Sequence, residues 1–136
     1  MRAPSILLLA VAAIAAPAGC DTAADRPADD FNYIHSAIIR PSCATAMCHS
    51  KLGSQGGVDL STREAAYLVF TGRVCGAPEH DGDPPGNWVR PGHPAASQLI
   101  GLLRGQGGRY MPPDVPLPDV EIELIEQWIL AGATCD

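Results

Sequence analysis

The chain has 136 residues, of which 46% are hydrophobic, 18% charged and 5% aromatic. Its 14 glycines and 13 prolines fill about a fifth of the positions, against about 12% in an average globular protein, which excludes a coiled coil, a long helical bundle and a regular sheet with tight turns. The formal charge is −6, and setting aside Arg2 in the leader leaves eight basic against fifteen acidic residues, or −7, a surface that does not attract nucleic acid or anionic lipid headgroups.

In chain order, Met1-Arg2, an apolar run from Ile6 to Ala16 and a small-residue end at Ala16-Pro-Ala-Gly-Cys20 read as a secretory signal peptide, too short to span a bilayer stably. Ala16-Pro17-Ala18 suits ordinary signal peptidase, whereas Ala18-Gly19-Cys20 has the form of a bacterial lipobox with Cys20 lipidated. The second reading is preferred because it leaves four cysteines, Cys43, Cys48, Cys75 and Cys135, in an oxidising compartment. The expected organisation is a leader over 1–19, a small, acidic, flexible tether over 20–30 and one domain over 31–136. The expected location is periplasmic or at the outer surface, with membrane contact through the lipid anchor only.

Four helices are predicted within the domain. Asp29-Asp30 cap a first helix with Phe31, Ile34 and Ile38 on one face, stopped by Pro41. Ser61-Thr-Arg-Glu64 has the form of a capping box opening a second helix through Phe70 to Gly72. Pro94 opens a third, carrying Leu99, Ile100, Leu102 and Leu103, which ends at Gly105. Pro118 opens a fourth, with acidic residues in its first turn, Ile122, Ile125, Trp128 and Ile129 on its buried stripe, and Gly132 at its end. The intervening loops are long for helix connections, which in a small domain points to function. With two Trp, three Tyr and two Phe the side-chain core is thin, so a staple is expected: disulfides, a metal or a large apolar cofactor.

The most informative segment is Pro41-Ser-Cys-Ala-Thr-Ala-Met-Cys-His-Ser50, a CxxxxCH pattern. In the familiar CxxCH signature two thiols attach haem covalently and the adjacent imidazole ligates iron. Two intervening residues more would make the loop bulge while keeping the Cys48-His49 adjacency. Alternatively the two cysteines are disulfide partners and the histidine incidental. A second half of the pattern, Gly107-Gly-Arg-Tyr-Met-Pro-Pro113, places Met111 in a Gly/Pro-rich loop before the last helix, where a thioether suits the other axial position and raises the reduction potential. Of the two methionines in the mature chain, Met47 lies between the attachment cysteines, which leaves Met111 as the distal ligand.

On these residues, with Gly56-Gly-Val-Asp-Leu-Ser61, Val89-Arg-Pro-Gly-His-Pro94 and Trp128-Ile-Leu-Ala-Gly-Ala133, the chain resembles class I c-type cytochromes, specifically the cytochrome c-like domains of bacterial secreted proteins and lipoproteins. The resemblance spans residues 31 to 133, and the CxxxxCH spacing departs from the usual motif. It implies an all-α fold of about four helices with long loops around one covalent haem c per chain, first and last helices packed together. It also implies attachment at Cys43 and Cys48 and iron held by His49 and Met111. Once those two thiols are taken, Cys75 and Cys135 are the pair left to form a disulfide; without haem, four cysteines allow three pairings.

The expected function is a membrane-tethered monohaem electron carrier serving redox partner proteins, with no substrate transformed and no catalytic residue. The alternative is a haem-free, disulfide-stabilised binding or structural module of a lipoprotein. A haem peroxidase subunit ranks third. His80 in an acidic stretch reads as part of a solvated turn, His93 as a structural loop residue and His35 as a satisfied helix residue. Trp88 and Trp128 are candidates to line a haem crevice.

Overall fold

The computed structural model describes residues 30–77 and 88–135. The leader, Cys20, the tether up to residue 29, and His80 with its acidic neighbours lie outside the described residues. Within them the chain is helical and contains no strand. No helix there is long and apolar enough to cross a membrane.

The first helical run consists of α1 (Phe31–Tyr33), a π-helical stretch (Ile34–Ile39) and α2 (Arg40–Ser42). Asp30 caps it by accepting the Tyr33 N–H at 3.1 Å. Pro41, expected to stop this helix, instead sits in the first turn of α2. The proline lacks a donor, but a first helical turn requires none from it, and the amides of Cys43 and Ala44 both return to the Ile39 carbonyl.

Helix α3 (Arg63–Thr71) is capped by Thr62, whose hydroxyl accepts the Ala65 N–H at 3.2 Å, so the cap lies one residue beyond the expected Ser61. Ser61 is engaged by Asp59, which accepts its amide at 2.9 Å. That contact with Ser61 holds the Asp59 carboxyl below its ordinary pKa. Gly72 ends α3 in the left-handed conformation, φ 71°, which glycine adopts without a Cβ penalty.

Pro94 opens a 3₁₀ turn (Pro94–Ala96), and α4 begins afresh at Gln98, running to Leu103. Ser97 makes the break: extended, with its hydroxyl accepting the Arg90 N–H and donating to the His93 carbonyl. Helix α5 (Asp119–Leu130) buries Ile122, Ile125, Trp128 and Ile129, the predicted stripe.

Among the described residues, seventeen buried apolar side chains form one core. At its centre the Phe31 ring stacks on Trp128, centroids 4.7 Å apart, and meets Tyr67 edge-on at 5.5 Å. The polar ends of these rings are satisfied at the C-terminus: Tyr67 donates to the Ala133 carbonyl and Trp128 Nε1 to the Thr134 carbonyl. Cys75 and Cys135 are paired as a disulfide with Cα atoms 5.5 Å apart, which ties the segment after α3 to the chain end. Arg104 grips Glu126 with two hydrogen bonds, 2.8 and 3.0 Å, joining the end of α4 to α5.

Candidate binding cleft

The loop after α2 is built around its own backbone. The Cys48 amide donates to Thr45, the His49 amide to the Cys43 carbonyl and the Gln55 amide to the Cys48 carbonyl. Gly53 closes the loop, because a Cβ there would sit 2.6 Å from the Cys48 carbonyl oxygen and 2.8 Å from that of Ala46. Ser50 braces the turn, donating to Ala46 and accepting from Gly53. Cys48 and His49 are thereby held against the body of the domain.

They face a cleft of about 660 Å³. Its walls come from four parts of the chain: the loop with Cys43, Met47, Cys48 and His49; the stretch through Val58 and Leu60; Val69 and Phe70 of α3 with Trp88 and α4; and the Met111-Pro-Pro113 loop. Met111 is positioned by its amide, which donates to the Leu102 carbonyl at 3.2 Å, and by Tyr110, whose ring packs against Gly105. Trp88 is fixed by a hydrogen bond from its amide to Phe70 and another from the Leu99 amide to its carbonyl.

Cys43, Cys48 and His49, neighbours in sequence, therefore share one cleft with the distant Met111. Trp88 joins them; Trp128 does not, and faces instead a void of about 20 Å³ deeper in the core, below Cys43. Met47, set aside on sequence grounds, lies at the rim with 79% of its surface exposed, and Met111 is 41% exposed. Leu60, Val69 and Leu102 were absent from the sequence-based site; their contribution depends on tertiary placement, and a single apolar residue in a helix or loop carries no signal for it. His93 precedes the 3₁₀ turn and does not line the cleft.

Cys43 and Cys48 are free thiols, both half-buried. Burial pushes the Cys43 thiol from its ordinary 9.0 up to about 11, with Cys48 and then Glu121 adding to the shift. At neutral pH this sulfur is a neutral thiol and a poor nucleophile. The Nδ1 atom of His49 is buried without a hydrogen-bond partner, the one such side-chain nitrogen or oxygen among the described residues. A buried unpaired nitrogen is costly, which marks the imidazole as a polar group held in place for something other than packing.

The structure contradicts the expected covalent haem c. Among the described residues, no group of three or more His, Cys, Asp and Glu side chains is gathered that could hold a metal ion. The arrangement of these side chains does not bear out haem c as the cofactor. The cleft is defined by its lining: mostly hydrocarbon and aromatic, with two thiols, one imidazole and the thioethers of Met47 and Met111 as its polarisable groups. Comparison with family models, curated proteins and solved structures finds no match to this chain.

Proposed function

We propose that the chain is a haem-free, disulfide-stabilised binding module with a cytochrome c-like arrangement of helices, and that its cleft takes a largely apolar small molecule. The observation that carries this reading is the cleft itself. A volume of about 660 Å³ falls among ligand sites, and an apolar wall with a few convergent polar groups is how such sites combine affinity with orientation. In this reading Val69, Phe70, Trp88 and Leu102 supply apolar contact, while His49 orients the ligand. The sequence supports export, with Cys20 as the lipidated residue that tethers the module outside the inner membrane.

Single-electron carriage between secreted redox partners is a second reading, favoured by the presence of an imidazole and a thioether, His49 and Met111, on the same cleft. It requires a redox-active molecule held there, with the protein contributing burial and orientation.

The test uses the mature protein purified from an exporting host. A neutral apolar fluorophore, N-phenyl-1-naphthylamine, is expected to bind saturably at one site per chain, and Val69→Arg is expected to abolish binding by placing a charge in the wall. The denatured mass should equal the processed polypeptide plus the lipid at Cys20, with two titratable thiols, Cys43 and Cys48. A visible chromophore retained on Cys43 and Cys48 after denaturation would overturn the module reading.

A further inference from the structure

Leu60 is held at both of its backbone polar groups. Its amide donates to the His49 carbonyl at 2.7 Å, and its carbonyl faces His35 Nε2 at 3.1 Å. A carbonyl only accepts, so Nε2 carries the proton and donates. The side chain of Leu60 is buried and lines the cleft beside His49. A hydrogen-bonded path thus runs from the first helical run through one residue to the backbone of His49, whose ring Nδ1 is unpartnered.

We infer that His35 is a positioning residue for the cleft, acting through Leu60 to set where His49 stands; this rests on the binding reading given above. Three observations carry it. His35 is only 7% exposed, so its hydrogen bond is protected from water and decides the position of its partner. The bond spans 25 positions of sequence and is the side-chain link from the first helical run to the cleft wall among the hydrogen bonds described. His35 also lies in the π-helical stretch, its carbonyl accepting the Arg40 amide in the wider register. Such stretches are rare and recur at functional sites. A histidine that only filled the core would not require a donor aimed at a loop carbonyl, since leucine fills comparable space with no polar group to satisfy.

The experiment compares His35→Gln, which keeps an amide donor near the Nε2 position, with His35→Leu, which removes it. Three quantities are read: affinity for N-phenyl-1-naphthylamine, the ring nitrogen shifts of His49, and hydrogen exchange at the Leu60 amide. In His35→Leu the probe should bind about tenfold more weakly, as expected when a buried carbonyl loses its donor. The His49 ring signals should move, and Leu60 should exchange faster. His35→Gln should stay near wild type on all three. A His35→Leu protein that is less stable yet keeps its His49 signals and probe affinity would overturn the inference and leave His35 as core packing. Should His35→Leu fail to fold, the wild-type nitrogen shifts still judge the idea, because a proton on Nδ1 rather than Nε2 of His35 would refute it. Absence of probe binding by the wild type would defeat the cleft reading, and the His49 and Leu60 signals would then decide the role of His35 alone.

Discussion

Cys43 and Gly53 show how much of the cleft depends on single positions. Well below pH 9 the Cys43 thiol is neutral in the folded and unfolded chain alike. Its folded pKa is raised, so its contribution is fully present there and is lost as pH rises toward 11, where the unfolded chain ionises first. Wild type should lose on the order of 2 kcal/mol more than Cys43→Ser between pH 8 and 11, read from urea unfolding midpoints. Site-mapped alkylation should likewise leave Cys43 slow at pH 7.5 and accelerate it above pH 10. Gly53→Ala should destabilise the protein by about 1–3 kcal/mol and weaken probe binding, because the carbonyls it meets are backbone and cannot swing aside. The cysteines, His49 and Met111 were legible in the sequence because their residue types are uncommon and their spacing patterned. The need for glycine at position 53 was not, since nothing local distinguishes it from the chain's other loop glycines.

At the scale of elements, amphipathic period and punctuation carried the fold. The stripe of α5 emerged as predicted because an isoleucine and tryptophan series at helical spacing has one way to be buried. Boundaries were less legible. Pro41 does not end the first helical run, and Pro94 heads a 3₁₀ turn separated from α4, because a proline removes a donor without dictating the conformation of the residues after it. The cap of α3 falls on Thr62, whose hydroxyl accepts the Ala65 amide, while Asp59 accepts the Ser61 amide. Thr62→Ala should cost about 1 kcal/mol in thermal or urea unfolding, while Ser61→Ala, whose hydroxyl caps nothing, should cost less. Trp128→Ala should cost about 3–5 kcal/mol, since the ring is fully buried against Phe31 and its Nε1 serves the Thr134 carbonyl.

At the scale of the whole molecule, a chain rich in loops is closed by a disulfide between residues 60 positions apart. Replacing Cys75 and Cys135 together by alanine should remove about 4 kcal/mol by the loop-entropy estimate, measured as a drop in urea midpoint under conditions where Cys43 and Cys48 stay reduced. A ligand bound at a hundred times its Kd should restore about 2.7 kcal/mol in that variant, provided the cleft forms only in the folded chain.

The amino-acid sequence by itself determined the helical class, the segments that would be helices, the cysteine arithmetic and the suspicion that Cys48, His49 and Met111 belong together. These come from residue type and spacing, which act locally. Only the tertiary structure decided that Met111 and His49 share one cleft with Leu60, Val69 and Trp88, that Trp128 belongs to the core, and that no metal-holding group of His, Cys, Asp and Glu assembles among the described residues. Those outcomes depend on which loops meet after the apolar stripes are buried. Of the many glycines and prolines that excluded a coiled coil or a regular sheet, Gly56, Pro112 and Pro113 themselves line that cleft.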